Sequence, residues 1–396
     1  MSLPGPGFSL RPRRIGRGAV LPVLFATVLA TAAVTDSLPR DGSAPSRAAR
    51  GGPPTAPQSR AGAVREQVVR AAVRAAEDGK PVAKAAEEAA SRSGDRWSAV
   101  YDKDEYEGLR RALDGAYTGV GLWARRTADG RVEVARVQRG GPAERAGLRP
   151  GDRLRTVDGR SVHGRAAAEV VALLRGDGAR ARAGSAVVLG VQRGARTWTL
   201  TLRRARLAAE AVTVRRLGDA VLIRVSAFTR GSGELVRRAV DRAPDGAGVL
   251  LDLRGNGGGL VAEAVAAASA FLDGGLVATY DLHGEERALY AEPGGDTGRP
   301  VVALIDGGTM SAAELLTGAL KDRGRAVTVG TRTFGKGSVQ MPSSLPDGSV
   351  AELTVGHYRT PAGARVDGRG IAPDVPAPTR AEERARTVLS GLGAGA

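Results

Sequence analysis

Three runs of the chain are apolar almost without interruption: AVLIRVSAF at 220–228, GVLLDLRG at 248–255 and PVVALIDG at 300–307. Each is followed by a stretch with helical periodicity, about Gly233–Arg242, Ala262–Leu272 and Ser311–Lys321. A strand with one wet face alternates apolar and polar residues, whereas a strand covered on both faces does not. The pattern therefore calls for a largely parallel sheet between helices, an α/β architecture. A different grammar precedes it. GVGLWARR, VEVARV, RLRTVDG, AVVLGVQR and TWTLTLRR, between residues 119 and 204, are short strands of β-formers, with one helix expected around Ala166–Leu174. Further upstream the spacing predicts mostly helix over 63–93 and a short helix Lys103–Leu113 capped by Asp102 or Asp104. Arg380–Leu389 reads as a surface helix followed by a frayed tail.

Composition narrows the function classes. The 396 residues suffice for two or three domains, and a 42% hydrophobic content allows a sizeable core. Aromatics are only 4%, so that core rests on Ala, Val and Leu. With no cysteine, disulfides, thiol nucleophiles, Cys-ligated zinc and a lipidated N-terminal Cys are excluded. Three histidines (His163, His283, His357) make a His-rich metal site a poor expectation, and hydrolytic chemistry would need another base. The net charge is +16, of which residues 1–60 supply +6 and the remaining 336 residues a diffuse +10. Such an excess favours anionic surfaces and acidic partners at long range. Nucleic acid is not expected as a partner, because charge is its only support: there is no recognised motif and there are few aromatics for stacking. At the N-terminus, Arg11, Arg13, Arg14 and Arg17 precede a mostly apolar run, Gly18 to Val34. This fits a signal peptide, with Ala30-Thr31-Ala32 as a cleavage pattern, or a short membrane anchor, and an extracytoplasmic location. Residues 36–62 have the Pro, Gly, Ser and Ala content of a flexible linker.

The first chemistry-bearing constellation is Gly119-Val120-Gly121, a glycine-flanked turn running into a strand. Converging backbone N–H groups there make an anion nest, and the strand edge after it accepts an extended peptide. Downstream stand Gly141-Pro142-Ala143-Glu144-Arg145-Ala146-Gly147-Leu148-Arg149-Pro150-Gly151-Asp152 and Val157-Asp158-Gly159. At this point the chain resembles a bacterial PDZ domain over about Tyr117–Arg204. The resemblance implies that Gly119, Val120 and Gly121 bind a peptide C-terminal carboxylate. Arg175, after the helix of this region, is a candidate regulatory contact to substrate or the neighbouring domain, although such an arginine is more often simply solvated.

The second constellation lies on strand-to-helix and strand-to-loop turns. Ser311 opens a helix after Gly307-Gly308-Thr309-Met310. Alone it reads as an N-cap, with Glu314 closing a capping box. Lys336 stands between Gly335 and Gly337, one of only five lysines in an arginine-dominated chain. Burial beside apolar surface would depress its pKa and let it take a proton from a serine hydroxyl. Gln340, being neutral, can orient an amine without raising its pKa. Asp252-Leu253-Arg254-Gly255-Asn256-Gly257-Gly258-Gly259 is a glycine-rich turn whose free N–H groups suit an oxyanion hole.

In this order, the three elements resemble those of the carboxyl-terminal processing (tail-specific) peptidases: DLRGNGGG, TMSAAE and FGKGSVQ. Trp97-Ser98-Ala99-Val100-Tyr101 and Gly368-Arg369-Gly370-Ile371-Ala372-Pro373-Asp374 extend the match to roughly residues 63–378. The family implies a crotonase-like α/β protease core with N-terminal helices and an inserted mainly-β PDZ domain. It implies Ser311 as nucleophile, Lys336 as general base, Gln340 as the residue holding the lysine, and an oxyanion hole from Ala312 and Gly257 or Gly258. No metal or organic cofactor is implied. The expected partners are protein or peptide substrates with exposed apolar C-termini; the oligomeric state stays open. The corresponding boundaries are 1–37 for the signal or anchor, 38–62 for the linker, 63–116 for the helical region, 117–204 for the PDZ domain, 205–379 for the core and 380–396 for the C-terminal helix and tail. Two rivals belong to other classes: a non-catalytic PDZ scaffold of the cell envelope, which the intact serine, lysine and glutamine set argues against, and a crotonase-like acyl-CoA enzyme, which has no evident need of a PDZ module.

Overall fold

The computed structural model of the chain describes residues 60–127, 129–165, 167–176, 182–282 and 285–393. The apolar run at 18–34 lies outside the described residues, as does nearly all of the expected linker. Thr118–Leu207 forms one compact unit; the described residues of Ala26–Tyr117 and Ala208–Ala396 form the other.

The larger unit is built on a six-stranded sheet in the order Val212–Leu217, Ala220–Val225, Gly248–Asp252, Val301–Ile305, Val327–Gly330, Val375–Pro376. The first pair is antiparallel and every later pair parallel. Successive residues of the central strands feed two different cores. Ile223, Val249, Leu251 and Ala303 pack with Phe228, Val236, Phe271 and Leu316 on one face. Leu222, Leu250, Val302 and Leu304 pack with Ala385 and Leu389 on the other. Burial on both sides is why these strands read as unbroken apolar runs.

The C-terminal helix lies on the surface, as expected, and one side of it covers the sheet. It spans Ala381–Gly393, and its Ala385 and Leu389 are buried on the sheet. Its buried residues are few, so its amphipathic signal is weak, yet Ala385 and Leu389 cover the second face of the sheet. A Cβ placed on Gly248 would come within 2.9 Å of the Leu389 side chain, which shows how closely the helix sits.

A second sheet was not legible in the sequence. Its order is Ala99–Tyr101, Val350–Arg359, Leu276–Leu282, Glu285–Tyr290, with Ser338–Ser344 also paired to Val350–Arg359. The long strand Val350–Arg359 is buried along nearly its whole length. The upstream helical region splits into Arg60–Glu77 and Val82–Arg92, divided at Pro81, which takes up extended backbone as the N-cap of the second helix and disfavours helix in the residue before it. Val68, Ala72, Val82 and Ala86 of this pair cover Leu345, Ala351 and Leu353. Of the two aspartates considered for the next helix, Asp102 is the cap, in a reciprocal capping box with Glu105.

The smaller unit is mainly β, as the alternating strands predict. Its sheet runs Leu122–Arg126, Val132–Val137, Arg153–Val157, Ala186–Arg193, Arg196–Arg203, which leaves Leu122–Arg126 at an edge. Val132, Val134, Leu154, Val187, Leu189 and Val191 form its core with Val170 and Leu174 of the helix Ala167–Arg175.

Candidate active site

Three neighbouring parallel strands, Gly248–Asp252, Val301–Ile305 and Val327–Gly330, each end on the same side of the sheet. Their carboxyl-end loops carry, in turn, Asn256–Gly259, Ser311 and Lys336. Crevices beyond the carboxyl ends of parallel strands are the usual ligand sites of such sheets. Three segments chosen separately from the sequence are thus brought together by strand order.

Hydrogen bonds fix the loops to one another. The Asp306 carboxylate accepts from Gly255 N and Gly308 N, both at 2.9 Å. Thr309 Oγ1 donates to Leu253 O at 2.9 Å, and Met310 N donates to Asn256 O at 2.9 Å. Phe334 N donates to Thr309 O at 3.0 Å, which ties the lysine loop to the serine turn. Buried Asn256 donates through Nδ2 to Val225 O and accepts at Oδ1 from Gly258 N at 2.8 Å. Gly258 N is therefore occupied. Among the described residues, neither Gly257 N nor Ala312 N has a protein acceptor.

Ser311 is buried and holds φ 57°, ψ −120°, a backbone region that non-glycine residues enter only when the surroundings impose it. The helix Ala312–Asp322 begins immediately after it. The capping reading of Glu314 accounts for only part of its role. Fully buried, Glu314 accepts from Ser311 N at 2.9 Å, Thr333 Oγ1 at 2.5 Å, Gly335 N at 2.7 Å and Lys336 N at 2.8 Å. Burial pushes its pKa up, and these four donors oppose that shift. Tyr358 complements it from the second sheet. Its buried hydroxyl lies 3.0 Å from Ser311 O and 3.3 Å from Lys336 O, and burial keeps it protonated as the donor. One carboxylate thus holds the N–H groups, and one phenol the carbonyls, of both candidate residues. Neither role was found in the sequence reading. The only signal for Glu314 was its capping-box spacing, and Tyr358 left none.

Lys336 is 4% exposed, and among the described residues its ammonium makes no hydrogen bond or ion pair. Nζ sits 4.9 Å from the Trp97 ring centroid, and Phe334 packs against the same ring at 5.7 Å. Desolvation lowers its pKa to about 8, against an upward pull from Glu352, Asp95 and Asp367. Glu352 is itself buried, its pKa raised to about 8 by desolvation, and among the described residues its Oε1 has no hydrogen-bond partner. The glycines beside the lysine are sterically required. A Cβ on Gly335 (φ 91°) would lie 2.9 Å from Gly370 N, and one on Gly337 2.6 Å from Asp367 N.

The expectation that Gln340 holds the lysine meets a different geometry. No hydrogen bond joins Ser311 Oγ to Lys336 Nζ, and Gln340 does not bond the lysine. The Gln340 amide donates to Ser338 Oγ at 2.7 Å and Thr354 Oγ1 at 3.2 Å. In the smaller unit, Gly121 has φ 75°, and among the described residues the N–H groups of Val120 and Gly121 have no protein acceptor. Gly119 instead ends the short strand Ala116–Gly119. Arg175 is the half-buried last residue of its helix.

Comparison with known proteins adds the family context. Residues 219–377 match the model for peptidase family S41, and residues 133–193 match that for the PDZ domain. A probable CtpA-like serine protease of Staphylococcus aureus is 33% identical over 287 residues, covering 71% of this chain and 57% of that protein. A chloroplastic C-terminal processing peptidase of Tetradesmus obliquus is 38% identical over 291 residues, covering 67% of this chain and 61% of that protein. The chain therefore spans somewhat over half the length of these relatives. A solved structure from Bacteroides fragilis assigned to the S41 proteases superposes with a TM-score of 0.51 at 17% identity, over 76% of this chain and 88% of that one, a likeness of fold.

Proposed function

The chain belongs to the carboxyl-terminal processing peptidases of family S41, and from that premise we propose that it is a serine-type endopeptidase acting through Ser311 and Lys336. The observation that carries this reading is a strained, buried serine and a desolvated lysine on loops from adjacent parallel strands, tied together by Glu314 and Tyr358. Burial favours the neutral amine, the form able to act as a base. Lys336 Nζ accepts the Ser311 hydroxyl proton as Oγ attacks the substrate carbonyl. It then protonates the leaving amine, and water hydrolyses the acyl-enzyme. The Ser311 Oγ to Lys336 Nζ hydrogen bond forms in the substrate complex, since catalytic hydrogen bonds are often long before substrate binds.

The developing oxyanion is received by Ala312 N and Gly257 N, two amides with no protein acceptor among the described residues; Gly258 N is spent on Asn256. Gln340 orients the lysine once its amide leaves Ser338 and Thr354. The smaller unit captures substrate C-termini ending in apolar residues, with the free amides of Val120 and Gly121 receiving the carboxylate beside the edge strand Leu122–Arg126. Arg175 is a candidate for coupling this capture to activity. The basic and apolar N-terminal segment supports a location outside the cytoplasm, exported or anchored.

The test is hydrolysis of unstructured proteins with apolar C-termini by wild type, Ser311→Ala and Lys336→Ala. Loss of cleavage in both variants is expected. Cleavage that survives Ser311→Ala would sink the assignment.

A further inference from the structure

The positive charge of this chain is not diffuse. Residues 118–207 hold nineteen arginines against seven acidic residues, a net +12, whereas residues 208–396 carry −1. This corrects the expectation of an even excess. The surplus lies in the unit that the proposed function assigns to tail capture, so the inference that follows rests on that reading.

The geometry of the unit sets the course of a bound tail. The free amides of Val120 and Gly121 precede the edge strand, so a tail with its carboxylate there runs antiparallel along Leu122–Arg126. Four steps at about 3.3 Å bring the tail residue about four positions upstream of the C-terminus to Arg126. There the sheet register aligns Arg126 with Val132, and Val132 with Leu154. Val132 and Leu154 line a cavity of about 270 Å³ together with Arg131, Arg153, Arg155 and His163. The Arg126 guanidinium and the His163 ring both converge on Gly130, at 3.8 Å and 3.6 Å from where its Cβ would stand. Arg131 is paired with Asp129 at 2.7 Å. Among the described residues, Arg126, Arg153 and Arg155 make no ion pair or side-chain hydrogen bond.

We infer that this basic rim makes the unit selective for polypeptide tails that carry acidic residues about four to seven positions upstream of an apolar C-terminus. Each Glu or Asp there meets unneutralised guanidinium groups at the end of the strand, while the apolar end fixes the register. The contacts are solvent-exposed, so each is modest and screened by salt.

Fluorescent ten-residue peptides with one common apolar C-terminal triplet would be titrated into the full chain bearing Ser311→Ala. Three Glu at positions four to seven upstream are expected to tighten Kd about tenfold over three Gln at 50 mM salt, and under threefold at 500 mM. Arg153→Gln with Arg155→Gln, both off the edge strand, should erase the Glu advantage and leave the Gln peptide unchanged. Equal Kd values at 50 mM overturn the inference alone. Failure of either peptide to bind overturns the tail-capture reading beneath it. An amidated Glu peptide that binds as tightly as the free acid overturns both, in favour of a general anion-binding face.

Discussion

Replacing Glu314 tests whether one carboxylate holds the serine and lysine loops in register. Glu314→Ala would leave three buried amides, Ser311 N, Gly335 N and Lys336 N, and the Thr333 hydroxyl without their acceptor. An unsatisfied buried donor costs about 1–3 kcal/mol, and relief of the desolvated carboxylate offsets part of the sum. A net loss of about 3–5 kcal/mol is expected, in the range for breaking a buried charged contact. At roughly 2–4 °C per kcal/mol for a domain of this size, Tm falls by about 6–20 °C. Activity should fall further than stability explains. Without its bond to Glu314, Ser311 N no longer pins φ at 57°, and the serine relaxes toward ordinary backbone. Misplacement of a nucleophile by about 1 Å costs around 10²-fold, so kcat of the folded variant should fall by that order at 25 °C. Glu314→Gln keeps one acceptor oxygen but turns an NH2 toward donors, and should fall between alanine and wild type. Circular dichroism melts and single-turnover cleavage below the transition provide the readouts. A Glu314→Ala variant with Tm within about 2 °C and kcat within about threefold of wild type would refute the reasoning.

The pH profile tests the base. With its pKa near 8, Lys336 gains its neutral form as pH rises, so kcat/KM should climb through that value and plateau above it, with pH 7 at about a tenth of the plateau. Because Glu352 pulls the lysine pKa up, Glu352→Gln should move the acid limb to lower pH; an upward move contradicts the electrostatics described. Tyr358→Phe removes the donor shared by Ser311 O and Lys336 O and should cost about 1–2 kcal/mol in urea unfolding, with a larger loss in kcat than in KM. Gly335→Ala, strained at φ 91° and short of room beside Gly370 N, should displace Lys336 and abolish cleavage while the chain stays folded; a fully active variant would show the loop to be more yielding than its packing implies.

Much of the candidate site was readable because the chemistry proposed for it constrains residue type locally. Ser311 at a helix start, Lys336 between two glycines and a glycine-rich turn after a strand are each contained in a few consecutive residues. What escaped is carried by long-range contacts. Glu314 reaches Lys336 N across 22 positions, and Tyr358 reaches Ser311 O across 47. A buried acceptor has no local pattern, since its partners are fixed only by packing. The second sheet was missed for a related reason: Val350–Arg359 is paired with Ala99–Tyr101, Leu276–Leu282 and Ser338–Ser344 and covered by the helices at 60–92, so its burial has no single-face period to read. The C-terminal helix is a surface helix, as read, but its cover of the sheet through Ala385 and Leu389 left no sequence signal.

By itself, then, the sequence determined the α/β class of the core, the mainly-β unit ahead of it, and the identity of the candidate serine, lysine and glycine-rich turn. Only the tertiary structure decided that the strands ending in those three turns are adjacent and parallel, which amides remain free for an oxyanion, and that Gln340 faces Ser338 and Thr354. The physical reason is range. Hydrophobic period and turn chemistry act over a few residues, whereas strand order and the satisfaction of buried polar groups are settled when distant segments exclude water together.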